Sequence, residues 1–266
     1  MKIRVGIETG RKAAMESVRS LGIPVLISAN ALWDNQRKDF SRPRSLAGLD
    51  LALDSGGFVA MKRYGGYRWT ASQYVGLAQY LRPAWWAQMD FCCEPEIASD
   101  STAVRSRITQ TVAGLQECQR IADGEGVARP MPVLQGWKPE DYTQGPIYEQ
   151  DYAWPSLVGV GSVCRRQVGG PNGVMAVVEA INAKVPQSVQ FHLFGVKSQA
   201  ITALFEEFPN RVASMDSQAW AMGARCAARD AGRPCDNQMR ADYLVSWYNR
   251  QMGLAHSPTF QPKLNL

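Results

Sequence analysis

Short, uninterrupted apolar runs recur along the whole chain, each about as long as one β-strand: IRVGIE (3–8), PVLISA (24–29), LALDS (51–55), WWAQMD (85–90), PVLQG (132–136), LVGVGS (157–162), FHLFGV (191–196) and VASMDS (212–217). Continuous rather than alternating hydrophobicity is what a parallel strand covered on both faces requires. Between most runs the apolar residues fall at three- and four-residue steps, which predicts helices. These stretches are RKAAMESVRSL after the first run, TASQYVGLAQYL after the third, SRITQTVAGLQECQRIA after the fourth, VMAVVEAINA after the sixth and SQAITALFEEF after the seventh. Thr70 and Ser198 stand where N-caps are expected. A closing helix is predicted over 240–252, with an extended tail beyond Gly253. Residues 30–48 carry no helical pattern and predict an irregular basic loop. Strand and helix alternating eight times predict an α/β fold, a (β/α)8 TIM-type barrel in a single domain over residues 1–266. A doubly wound open sheet is the alternative.

Composition narrows the setting. With 266 residues, 45% of them apolar and 20% charged, the chain has enough apolar surface for a sizeable core. No run approaches the roughly 18 apolar residues a membrane span needs, and MKIRVGIETGRK turns polar too early for a signal peptide. The expectation is a soluble, cytoplasmic protein with no membrane partner. Cys92, Cys93, Cys118, Cys164, Cys226 and Cys235 are expected as free thiols, since nothing marks a secreted disulfide framework. No metal or cofactor is expected. The only weak zinc candidates are Cys226, Cys235 and His256, whose spacing matches no common structural site.

Charge changes the picture more. The net charge is +5, and residues 1–45 alone hold nine Lys and Arg against four Asp and Glu, the same excess of five. A local cluster of this kind suits phosphate contact, although a solvated basic loop is the plain alternative.

The candidate chemistry lies at the carboxyl ends of the predicted strands, where Asp54-Ser55-Gly56-Gly57, Asp90, Gln135-Gly136, Gly161-Ser162, Gly195 and Asp216-Ser217 fall. In a parallel barrel these ends converge on the face that the βα loops build into an active site. Taken singly, Asp54 reads as a turn cap, Asp90 as a buried hydrogen-bonding carboxylate, Asp216 as an N-cap and Gln135 as a backbone partner. Taken together they form a set. One carboxylate can attack a sugar carbon, a second can move protons, and a third with an amide can read the polar edge of a flat heterocycle. Such a set fits base exchange on a nucleoside.

The segments also resemble a known family. LALDSGGF resembles the D-S-G-G-F signature of tRNA-guanine transglycosylases. QMDFCCEP is similar to that family's M-x-F-D-E-C, VLQGW to V-Q-G-G, VGVGS more loosely to I-G-G-L, and VASMDSQ to x-D-M-F-D-C, in the same order over roughly residues 25–225. The family is a (β/α)8 barrel that exchanges guanine for a 7-deazaguanine. The resemblance implies Asp216 as nucleophile at C1′ and Asp54 as general acid/base. Asp90, Gln135 and the neighbouring Gly136 would hold the base edge, Gly161 would offer a backbone contact, and Ser55 would contact base or sugar. The zinc motif C-x-C-x2-C…H of the tRNA enzymes is absent, which points to the compact DNA-modifying relatives, the DpdA group. DNA and a free 7-deazaguanine base are then the expected partners, in a bacterial cytoplasm or a phage's host. The target guanine would have to leave the stack. Arg37, Lys38, Arg42, Arg44, Lys62, Arg63, Arg165, Arg166 and Lys197 are candidates for holding the strand, and Trp33, Tyr64, Tyr67 and Trp137 for stacking. The rivals are the same exchange on tRNA, a catalytically inactive nucleic-acid-binding barrel subunit, and, more remotely, a sugar hydrolase.

Overall fold

The computed structural model describes residues 1–149, 152–164 and 166–256. All eight apolar runs form strands: β1 (Lys2–Gly6), β2 (Val25–Ser28), β3 (Leu51–Asp54), β4 (Trp85–Trp86), β5 (Val133–Leu134), β6 (Leu157–Val160), β7 (Gln190–Leu193) and β8 (Val212–Ser217). They make one parallel sheet in the order β4-β3-β2-β1-β8-β7-β6-β5. The sheet curls until its two edges meet. There a single parallel bridge pairs Ala87, just past β4, with Met131, just before β5. The architecture is thus an eight-stranded curled α/β sheet of barrel kind, joined at one bridge rather than along a full ladder.

Alternation along the strands produces two apolar cores. The larger lies between the sheet and its helices and holds Ile3, Val5, Val25, Ile27, Leu51, Leu53, Phe191 and Leu193. A smaller one, of Ala87, Met131 and Val133 with Trp85, Leu157 and Phe194 packed on it, lies on the sheet's other face, inside the curl.

Helices follow the strands: α1 (Lys12–Leu21), α2 (Gly57–Tyr64), α3 (Ala71–Leu81), α4 (Ser101–Gly124), α5 (Pro146–Glu149), α6 (Val174–Lys184), α7 (Ile201–Glu207), α8 (Ala219–Asp230) and α9 (Asn237–His256). Thr70 caps α3 as expected, in a capping box with Gln73. Ser198 does not cap α7. It opens a 3-10 turn, Ser198–Ala200, that leads into that helix. The closing helix α9 starts earlier and ends later than predicted, and packs on α1, α8 and α7. The predicted tail beyond it lies outside the described residues.

The basic segment is more ordered than expected. Trp33–Asp34 and Asp39–Phe40 form a short antiparallel pair, with 3-10 turns on either side. The physical reason is an aromatic cluster: Trp33, Phe40 and Trp69 meet at ring-centroid distances of 5.1–5.5 Å. Helix α2 is a further element that apolar spacing did not show. Among the described residues no helix is long and apolar enough to cross a membrane.

Candidate active site

Asp54, Asp90, Gln135, Gly161 and Asp216 line one open cleft of about 160 Å³, together with Leu26, Gly57, Phe58, Cys92, Glu94, Ser162, Cys164, Phe194 and Gly195. The polar strand ends singled out in the sequence therefore do converge.

The D-S-G-G turn shows how the backbone makes room. Gly56 adopts a left-handed φ of +78°. A Cβ there would overlap the amide of Asn30, whose Nδ2 donates to the Gly56 carbonyl at 2.8 Å. At Gly57 a Cβ would overlap the Asp90 carbonyl. The two glycines let β3 turn into α2 directly against Asp90. Asp54, at the end of β3, faces the cleft. Burial, then the charges of Asp90 and Asp216, push its carboxyl up to about 7, against opposing hydrogen bonds from the Gly56 amide and Ser28.

Asp90 is held on every side. Ser55 Oγ donates to Oδ1 at 2.6 Å and Gln135 Nε2 donates to Oδ2 at 2.5 Å. The Tyr67 hydroxyl accepts from the Asp90 amide at 2.9 Å, donates to the Asp90 carbonyl at 2.7 Å and lies 2.9 Å from Ser55 Oγ. Burial still raises the Asp90 carboxyl, against the hydrogen bonds from Ser55, Gln135 and Tyr67. The orientation of Gln135 is set by a relay. Cys93 N–H donates to Ser162 Oγ at 2.7 Å, so Ser162 gives its own proton to Gln135 Oε1 at 2.6 Å, and the amide nitrogen must face Asp90. Ser162 holds this position in left-handed backbone, φ +51°. Gly161 is needed beside it because a Cβ would overlap the Gln135 amide. Its own N–H bonds to the Leu134 carbonyl at 2.9 Å, and its carbonyl accepts from Tyr142 at 2.8 Å.

Asp216 lies near the end of β8, 9% exposed. The Gly195 amide donates to its Oδ1 at 3.0 Å, and His192 Nε2 lies 3.4 Å from the same oxygen. Cys92 shares the cleft, but burial, helped by Asp90 and Glu94, pushes its thiol up to about 12, so it is no nucleophile near neutrality.

Other sequence candidates fall elsewhere. Ser55 is buried behind Asp90 rather than open to the cleft. The Gly136 carbonyl accepts from Arg166. Arg166 is 7% exposed and spends all five donors inside the protein, on the carbonyls of Ser162, Trp137, Asn172 and Gly136 and on the Tyr142 hydroxyl. It is a strut of the βα loops, with no donor left for a phosphate. Arg37 pairs with Asp34 at 3.6 Å, Lys62 pairs with Glu96 at 2.6 Å, and Arg63 and Arg42 lie over the rings of Tyr64 and Tyr80. Lys38, Arg42 and Arg44 are exposed and Lys197 is half-buried. Arg165 lies outside the described residues. Trp33 is buried in the aromatic cluster, Tyr67 is committed to Asp90, and Trp137 lies under the Arg166 guanidinium at 4.3 Å, whereas Tyr64 stays exposed. None of the six cysteines forms a disulfide, and no group of three or more metal-ligating side chains occurs among the described residues. The His256 side chain lies outside what is described.

Sequence reasoning passed over Tyr67 as a support of Asp90, and also His192, Phe58 and Glu94. Only His192 left a signal, as a polar residue inside the apolar run FHLF.

A curled parallel sheet whose strand ends gather three carboxylates and an amide defines an α/β protein with a carboxylate-lined cleft at one end of its strands. The chain belongs to the DpdA family, "DeoxyPurine in DNA protein A", whose family model matches residues 11–257. No curated protein matches it. Among solved structures it is similar to the YdjI aldolase of Escherichia coli K12, at 12% identity over 96% of this chain and 91% of that one, with a TM-score of 0.48. A candidate fructose-1,6-biphosphate aldolase of Coccidioides immitis gives 13% identity over 96% and 90% of the two chains and the same TM-score, 0.48. Both likenesses are too weak to bear on function.

Proposed function

We propose that this protein is a DNA-modifying transglycosylase that exchanges guanine for a 7-deazaguanine base through a covalent aspartyl–nucleotide intermediate. The observation that carries the reading is the pairing of Asp54, with a carboxyl near 7, and Asp216 across one cleft whose third side is the Asp90–Gln135 pair. Two carboxylates with separated roles are what nucleophilic displacement with proton transfer requires. Membership of the DpdA family supports DNA modification. The curled sheet with its edge bridge supports a (β/α)8 barrel, read as one domain over the whole chain.

In the first step a carboxylate oxygen of Asp216 attacks C1′, the C1′–N9 bond breaks, and the departing guanine takes a proton from Asp54. In the second, Asp54 removes the N9 proton of the incoming 7-deazaguanine as N9 attacks C1′, and Asp216 leaves as carboxylate. Asp90 accepts from the N–H edge of the base, and Gln135 has a second N–H for its carbonyl. An acid/base near 7 is half-protonated at neutral pH and serves both steps. The base must be flipped out of the duplex or presented on a single strand. Exposed Arg42, Arg44 and Lys38, with Arg37, would hold the backbone.

Incubation with DNA and a panel of 7-deazaguanines, read by nucleoside mass spectrometry, tests the reading. The expected result is base incorporation by the natural protein and none by Asp216→Ala. Full turnover by that variant would sink the mechanism, and incorporation into tRNA but not DNA would change the substrate.

A further inference from the structure

His192 takes no part in the chemistry above, yet it is fully buried against Asp216 and Phe194, two residues that line the cleft. It sits on β7 inside the curl, with its ring 4.6 Å from the Trp85 ring and 4.5 Å from the Phe194 ring, and Arg4 lies over the Trp85 ring at 5.4 Å. Nδ1 lies 2.8 Å from Ser214 Oγ. Nε2 makes no hydrogen bond, and it stands 3.4 Å from Asp216 Oδ1. A buried ring nitrogen short of a full hydrogen bond is costly, unless it serves the group it faces, here Asp216.

The tautomer follows from the neighbours. Burial lowers the imidazole below its ordinary value, with the Asp216 carboxylate opposing, so the ring is neutral at ordinary pH. If Nδ1 carried the proton, the Nε2 lone pair would point at a carboxylate oxygen, and two acceptors would face each other. With the proton on Nε2, Nδ1 accepts from the Ser214 hydroxyl and Nε2–H faces Oδ1. The second arrangement satisfies every atom once the gap closes by a few tenths of an ångström, as such bonds do when a substrate is bound.

We infer that His192 is a positioning residue for Asp216: its Nε2–H joins the Gly195 amide in holding Oδ1, which leaves Oδ2 as the oxygen that meets C1′. This rests on the reading of Asp216 as nucleophile. Two donors on one oxygen fix the rotation of the carboxylate and aim the other, which is the positional control that nucleophilic displacement rewards.

Two measurements test it. The chain has 2 histidines, so ¹⁵N-histidine NMR of the whole protein, with His192→Gln for assignment, reads the tautomer directly and needs no substrate. An Nε2–H signature for His192 is expected, and an Nδ1–H tautomer overturns the inference. The second is exchange of labelled guanine into DNA by natural protein, His192→Phe and His192→Gln. The phenylalanine variant is expected to lose roughly 10- to 100-fold in kcat, the equivalent of one hydrogen bond to a charged group, with the KM for guanine unchanged. Glutamine, which can place an N–H near the same point, should recover most of the loss. A His192→Phe protein that exchanges at the natural rate overturns the inference while leaving Asp216 as nucleophile. Absence of exchange by the natural protein sinks the functional reading instead, and the tautomer result stands apart from it.

Discussion

Replacing Asp54 by asparagine removes a titration as well as a proton donor, and the titration can be read without knowing the substrate. Its carboxyl moves from 3.8 to about 7 in the folded protein, mainly through burial and secondarily through Asp90 and Asp216. Between those values the native state keeps a proton that the unfolded chain has released, so stability falls as pH rises. Below the window both states are protonated and nothing is lost. Above it both are ionised and the whole loss persists. At about 1.4 kcal/mol per unit, a three-unit shift is worth about 4 kcal/mol, of which about 3 kcal/mol falls between pH 5 and pH 8. Asp54 opens partly to the cleft, and screening there trims the figure towards about 2 kcal/mol. Asparagine is a neutral near-isostere of the protonated acid and has no such slope. Urea midpoints of both proteins at pH 5, 6, 7 and 8 should therefore diverge, with Asp54→Asn gaining about 2–3 kcal/mol on the natural protein by pH 8. Parallel stability curves, constant to within about 0.5 kcal/mol, would show that the proton does not reside on Asp54. The same variant should exchange bases slowly while still binding DNA measurably.

Gly161→Ala drives a methyl group into the Gln135 amide and should raise the KM for the base, with a stability cost of about 1–3 kcal/mol seen in a urea titration. Unchanged base affinity would remove Gln135 from recognition. Arg166→Met leaves four carbonyls and the Tyr142 hydroxyl without their donor and should cost at least about 3 kcal/mol of stability in the same titration. The double variant Arg42→Ala, Arg44→Ala should instead leave stability within about 0.5 kcal/mol and lower the slope of log K for DNA against log salt by about 2. An unchanged slope would move the strand-binding surface elsewhere.

The strands were legible in the sequence because each is covered on both faces and so reads as an unbroken apolar run. The cleft was legible because an aspartate at the end of such a run has few reasons to be there. What stayed hidden depends on contacts remote in sequence. The pairing of Trp33 with Phe40 is stabilised by Trp69, which no local pattern reveals. Tyr67 looked like a surface stacking residue until the fold laid its hydroxyl against both backbone groups of Asp90. Arg166 counted as one more positive charge, and only the fold brings the five acceptors that engage its donors around it. Helix α2 was masked by its glycine start, which the close approach of Asp90 demands rather than helix propensity.

The bridge between Ala87 and Met131 has a consequence for how the cleft can adapt. A full parallel ladder would lock neighbouring strand tips at about 4.8 Å. Past β4 and β5 that ladder is missing, and side chains stitch the edges in its place: Gln88 Oε1 accepts the Val133 amide at 3.1 Å, and Gln135 reaches over to Asp90. The two groups proposed to read the base therefore sit on opposite lips of the one seam in the sheet. At that point the lips are joined by an amide–carboxylate bond between side chains rather than by a backbone pair.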